Sequence, residues 1–309
     1  MGMLVDGTWQ DQEIPRTNAE GAFIRNESPY RDVIGSPLFP VEADRYHLFV
    51  NAGCPWAYRT ILYRSIKKLQ PYLTMSYTLP AAGKQGWTFG EQGEPLLGGI
   101  HMHDVYTEAN DKFTGRCTVP VLWDKQSNTI VNNESADIIR MFDSAFDDEP
   151  GVNPTRYYLT EHAPEIDALN DEIYTTINNG VYRCGFSQSQ AAYDEAFDTL
   201  FETLGKLDKR LGDQRYLCGA SIAESDWRLF ATLVRFDVAY YGQFKCNLHR
   251  IVDYPNLWPY MRDLYQQPGV AETVDIAAIK GIYYGSRARG ILPRGPDIDF
   301  SEHHTRAVL

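Results

Sequence analysis

A change of hydrophobic period at Gly53 constrains this chain more than any other feature. Arg45 to Ala52 (RYHLFVNA) alternates apolar and polar residues as a strand does, with Tyr46, Leu48 and Val50 facing one way. Cys54 to Leu69 (CPWAYRTILYRSIKKL) then runs at helical spacing. Ala57, Ile61, Leu62, Ile66 and Leu69 share a face, and basic residues fill the last turns, where they complement the negative end of the helix dipole. Leu73 to Leu79 (LTMSYTL) reads as a second strand. The segment is therefore a βαβ unit, parallel and right-handed by the usual rule, with Asn51, Ala52 and Gly53 at the crossover.

A long Gly-rich loop, Pro80 to Thr118, follows and carries Trp87, His101 and His103; loops of this length are usually functional or mobile. Val119–Trp123 and Thr129–Asn132 read as strands joined by the turn-forming 124–128 segment, an antiparallel hairpin, and Glu134–Phe146 reads as an amphipathic helix. The order βαβ then ββα on one small sheet is thioredoxin-like. Beyond the acidic, Pro- and Gly-bearing linker at 147–154 nearly everything has helical period, including the stripe Tyr193, Phe197, Leu200, Leu204, Leu207 and Leu211 and segments at 223–237 and 259–265. The fold class is thus an α/β thioredoxin-like domain followed by an all-α domain. The expected divisions are an arm at 1–42, the thioredoxin-like domain at 43–147, the helical domain at 155–285 and a tail at 286–309. A length of 309 residues suits two domains.

Composition narrows the function. Uninterrupted apolar stretches are far shorter than a bilayer span, and Met1 to Gln10 has no basic region followed by an apolar core, so a cytoplasmic location and no membrane partner are expected. A net charge of −12 argues against a nucleic-acid surface. Five cysteines at irregular spacing do not form a disulfide framework. The partner expected is a small molecule.

Cys54 stands where a strand ends and a helix begins, with Pro55 at the first helical position, where a missing N–H costs nothing. Unpaired N–H groups and the positive helix end stabilise a thiolate there. The second position of a C-x-x-C pair is Ala57, so the thiol cannot close a disulfide within the motif. A lone acidified thiol suits attack on sulfur, giving a mixed disulfide that a thiol from solution resolves, and glutathione is the obvious resolver. Cys117, Cys184, Cys218 and Cys246 lack this setting and read as packed residues.

Proline at the start of a strand, Val119-Pro120, suggests a cis bond and a strand edge that offers backbone N–H and C=O groups to a ligand; a plain edge-strand proline is the alternative. Glu134 and Ser135 open a helix, where a carboxylate can hold an ammonium and free N–H groups a carboxylate, the two ends of a γ-glutamyl group; a simple helix cap is the alternative. Tyr182, Tyr240 and Tyr283 carry phenols able to protonate a quinone-type oxygen, or are packed aromatics. His101 and His103 alone are too little for a metal site, and no metal is expected.

These blocks together resemble one family, the glutathionyl-hydroquinone reductases or Xi-class glutathione transferases. The resemblance spans nearly the whole chain and rests on MLVDGTW, RYHLFV, CPWAYRT, GWTFG, TGRCTVPVLWD, IVNNESADIIRMF, INNGVYRCGF, DWRLFATLVRFD, GQFKCN, DYPNLW and IKGIYYGS. It implies Cys54 as nucleophile, glutathione as cosubstrate held by Trp87, Arg116, Val119, Glu134 and Ser135, with Pro120 beside them, and Tyr182, Tyr240 and Tyr283 around a quinol-type substrate. It also implies a homodimer packed through the helical domain. The chain departs from the family pattern at Tyr58, Gln243 and Arg287. Related cysteine-dependent transferases, such as reductive dehalogenases or β-etherase-like lyases, would use the same thiol on another substrate; a non-enzymatic interaction module would not need it.

Overall fold

The computed structural model describes residues 2–11, 16–285 and 290–306. The chain forms two compact units that interleave in sequence. The first is Met1–Ile14, Glu27–Thr155 and Glu272–Leu292, the second Pro15–Asn26, Arg156–Ala271 and Pro293–Leu309.

The first unit opens with a hairpin, β1 (Met3–Val5) and β2 (Thr8–Gln10). There follow β3 (Tyr46–Val50), α1 (Pro55–Ile66), β4 (Leu73–Tyr77), α2 (Met102–Ala109), β5 (Val121–Asp124), β6 (Thr129–Asn132) and α3 (Ser135–Ser144). Four strands make one sheet in the order β4-β3-β5-β6, with β3 parallel to β4 and the other pairs antiparallel. This is the thioredoxin-like arrangement. Leu48, Val50, Ala57, Leu62, Leu122, Ile138 and Phe142 are fully buried in its core.

Three local expectations need correction. The alternation in β3 predicts one wet face, yet all five residues are buried, because β3 is a central strand. His47 tolerates this through its ring nitrogens, 2.7 Å from Thr74 Oγ1 and 3.0 Å from Ser76 Oγ, and burial lowers its pKa to about 4. The arm is not merely wrapped chain: Leu4 exchanges two backbone hydrogen bonds with Gly115, of 2.9 and 3.0 Å. The 80–118 loop contains α2, capped at its start by Asp104, whose carboxylate accepts from the His101 backbone N–H at 2.8 Å.

The division of the helical region also differs. The segment Glu272–Leu292 groups with the first unit, where α10 (Ile276–Lys280) lies against the crossover. A Cβ on Gly53 would fall 2.4 Å from the Ala278 carbonyl oxygen and 2.7 Å from Ile282 Cγ2, so only glycine permits this approach. Tyr58, fully buried in α1, bonds Thr273 Oγ1 at 3.0 Å and fastens the same segment.

The second unit holds α4 (Ala163–Ile173), α5 (Gly180–Phe186), α6 (Gln190–Asp213), α7 (Glu224–Arg235), the short α8 (Tyr241–Gln243) and α9 (Leu257–Tyr265). In the α6 stripe Leu200, Leu204, Leu207 and Leu211 are buried, whereas Tyr193 and Phe197 are only partly so. Helix α7 is buried along its whole length. Asp226 in its first turn accepts from the backbone N–H of Leu217 and Ala223 and from the Tyr260 hydroxyl. The tail is docked too: Phe300 packs on Trp258 and Tyr265, and Gln266 donates to the Phe300 and Glu302 carbonyls. Among the described residues no helix is long and apolar enough to cross a membrane.

Candidate active site

Strand register gathers the candidate residues of the first unit at one end of the sheet. Val50 pairs with Tyr77, Phe49 with Val121, and Leu122 with Asn132. The chain therefore leaves β3 toward Cys54, leaves β4 toward the Trp87 segment, enters β5 from Val119-Pro120, and leaves β6 toward Glu134 and Ser135, all on that side.

Cys54 is the residue immediately before α1, in extended conformation, with Pro55 opening the helix. Its position is fixed by Asn51, which sequence reasoning placed only in a crossover. Asn51 is fully buried; its Oδ1 accepts from the Gly53 N–H at 2.9 Å, its Nδ2 donates to Thr78 Oγ1 and the Leu79 carbonyl, both at 2.9 Å, and its carbonyl accepts from the Cys54 N–H at 3.1 Å. Cys54 Sγ lies 3.9 Å from the Val119 carbonyl oxygen. Ala57, one turn on, is fully buried. All five cysteines are free. Burial raises the pKa of Cys117 and Cys246, and pushes that of Cys218 up to about 12, so these thiols stay protonated.

The Val119–Pro120 peptide bond is cis, as the sequence suggests. Trp87 is buried, and its carbonyl accepts from the Met102 N–H at 2.8 Å, so α2 pins the segment that bears it. Arg116 is half-buried, which lowers its pKa. Glu134 is the residue capping α3: its Oε1 accepts from the Ala136 N–H at 3.1 Å, and its Oε2 from Ser28 Oγ at 3.1 Å. The capping alternative is thus realised, and one oxygen is additionally held by Ser28, a partner no local signal in the sequence reveals. Ser135 is buried at the same helix start, 3.5 Å from an Arg59 guanidinium nitrogen.

The three tyrosines do not fall in one unit. Tyr182 and Tyr240 belong to the second, Tyr283 to the first. Each stands in or just after a single widened helical turn: Tyr182 follows the turn at Tyr174–Asn178, Tyr240 closes that at Phe236–Tyr240, and Tyr283 lies within that at Gly281–Gly285. Such π turns insert one residue into a helix and are frequent at functional sites. Tyr182 packs on Phe186, Phe244 and Tyr240 with centroids 6.0, 5.3 and 6.2 Å away, and the Arg25 guanidinium sits 5.0 Å from its ring centre. Gly185 permits this packing, since a Cβ there would meet the Phe244 ring at 2.3 Å. Tyr240 is fully buried and Tyr283 is buried. Of the departures from the family pattern, Tyr58 is used internally, Gln243 lies in α8, and Arg287 lies outside the described residues.

A thioredoxin-like sheet with a lone thiol before α1, in a chain that also holds a helical unit, defines a glutathione transferase, and comparison with known proteins agrees. The glutathione S-transferase N-terminal domain family matches residues 53–145 and the C-terminal domain family residues 190–263. Glutathionyl-hydroquinone reductase YqjG of Escherichia coli is 44% identical across 100% of this chain and 99% of its own. Its glutathione-bound structure superposes with a TM-score of 0.88 over 99% of both chains. Glutathionyl-hydroquinone reductase PcpF of Sphingobium chlorophenolicum is 45% identical over 96% of each chain. A Xi-class glutathione transferase from Natrialba magadii, 40% identical, gives a TM-score of 0.89, covering 97% of this chain and 95% of that one. The chain belongs to the glutathionyl-hydroquinone reductase family, the Xi class of glutathione transferases.

Proposed function

We propose that this enzyme removes glutathione from glutathionyl-hydroquinones by way of a mixed disulfide on Cys54. The Cys54 thiolate attacks the thioether sulfur; the carbon–sulfur bond breaks, its electron pair stays on the ring carbon, and that carbon takes up a proton, releasing the free hydroquinone. A second glutathione, as thiolate, then attacks the glutathionyl sulfur of the mixed disulfide, yielding oxidised glutathione and restoring Cys54. The sum is one thioether and one thiol converted to one disulfide and one C–H bond. The observation that carries this reading is the lone thiol at the start of α1 with Ala57 where a resolving cysteine would stand. Resolution must then come from solution.

In this reading Trp87, Arg116, the Val119-Pro120 edge, Glu134 and Ser135 hold glutathione. The start of α3 offers its N–H groups to the γ-glutamyl carboxylate and Glu134 its charge to the ammonium. Tyr182, Tyr240 and Tyr283 serve the quinol, hydrogen-bonding its oxygens and aiding protonation of the departing ring. The protein works without a metal in this reaction, in the cytoplasm and as a homodimer. The direct test supplies purified protein with glutathione and a glutathionyl-hydroquinone and follows both products. Equal amounts of hydroquinone and oxidised glutathione are expected; oxidised glutathione without hydroquinone, or no turnover, contradicts the assignment.

A further inference from the structure

We propose that His101, His103 and Asp104 form a binding site for a divalent transition-metal cation of the class that accepts imidazole and carboxylate ligands. The two histidines two apart are too few for a site, but the start of α2 gathers the adjacent Asp104 carboxylate with them. Nitrogen and oxygen atoms from the three side chains lie within 4.8 Å of one another. His103 Nδ1 is 3.0 Å from Asp104 Oδ1, and His101 Nδ1 is 3.9 Å from Asp104 Oδ2. Ligand atoms around one Zn²⁺-class ion are separated by roughly 3–3.5 Å, given bond lengths near 2.0–2.2 Å, so small side-chain rotations close the set.

Three features of the surroundings favour occupancy. The imidazoles are restrained: the two rings stack at 4.9 Å with an interplanar angle of 11°, and Trp9 stacks on His103 at 4.8 Å. The carboxylate is oriented, because Oδ2 accepts the backbone N–H of Ile100 and His101 at 2.9 and 2.8 Å. Asp104 also offsets the positive end of α2, which would otherwise repel a cation. Two nitrogens and one oxygen leave coordination positions for water, an open rather than closed site.

The site adjoins the Trp87 segment: Thr88 pairs with His101 as an isolated bridge, and the next residue, Met102, holds the Trp87 carbonyl. An ion here would tie the β1–β2 hairpin, through Trp9, to the segment proposed to bind glutathione. The test does not depend on that activity. Co²⁺ is titrated into the full-length, tag-free protein while tryptophan fluorescence and visible absorption are followed, and Zn²⁺ is added to displace it. One equivalent should quench fluorescence reversibly, with the quench lost in Trp9→Phe. His101→Gln and His103→Gln should each weaken binding more than about 10-fold, while His304→Gln, at the stacked His303–His304 pair, should leave it unchanged. Circular dichroism checks that the variants fold. Equal Co²⁺ affinity in His103→Gln and wild type, or loss only in His304→Gln, overturns the proposal.

Discussion

The corner that carries Cys54 and the aromatic cluster around Tyr240 are built in opposite ways. At the corner, position is set by backbone and one buried side chain: a strand exit, a proline, and the Asn51 amide bonded on both sides. The cluster is set by side-chain packing, with Tyr182, Phe186, Tyr240 and Phe244 packed face-on and edge-on against one another over Gly185. The corner rests on backbone and one amide, whereas a packed cluster depends on the fit of all its members. Sulfur chemistry is accordingly expected to survive changes in the cluster, and ring chemistry to be sensitive to them.

Replacing Cys54 with Ser should have the largest effect, lowering turnover more than about 10³-fold; turnover within tenfold of wild type would place the nucleophile elsewhere. Acid should act next, through β3. His47 is held neutral with a pKa of about 4, whereas in the unfolded chain it titrates near 6.5. Its contribution is fully present above pH 6.5 and is lost as pH falls toward 4, by up to about 3 kcal/mol. Urea unfolding at pH 7 and pH 5 checks this, and His47→Gln should flatten the difference. Third, Tyr240→Phe should slow turnover by about 10²-fold while leaving the KM for glutathione unchanged. A rise in that KM instead would erase the separation between the two regions. The smallest effect is expected for Ser28→Ala, which removes one bond to Glu134 and should raise the KM for glutathione several-fold, about 1 kcal/mol, with kcat intact.

What the sequence disclosed follows the same contrast. β3, α1, β4, the β5–β6 hairpin and α3 were legible because each keeps one hydrophobic period between clear turn signals. The β1–β2 hairpin is also written locally, in the Asp6-Gly7 pair whose φ values are 45° and 73°, although strands of three residues are too short to show a period within the arm. Helix α2 was hidden by the glycines before it, although His101 and Asp104 three apart and Met102, Val105 and Tyr106 on one face mark its start. The placement of Tyr283 with the first unit was not legible at all. It depends on Gly53 meeting Ala278 and Gly281 meeting Pro80, contacts about 200 residues apart that no local pattern encodes. The widened turns beside the tyrosines leave no periodic trace either, since each adds a single residue.

The central claim, a glutathionyl adduct on one thiol, is tested most directly by intact-protein mass spectrometry after mixing with a glutathionyl-hydroquinone in the absence of free glutathione. One glutathionyl group should be found, mapped to Cys54 and released by added glutathione together with its disulfide. An adduct on Cys117, Cys184, Cys218 or Cys246, or hydroquinone release from protein that carries no adduct at any time, would contradict it.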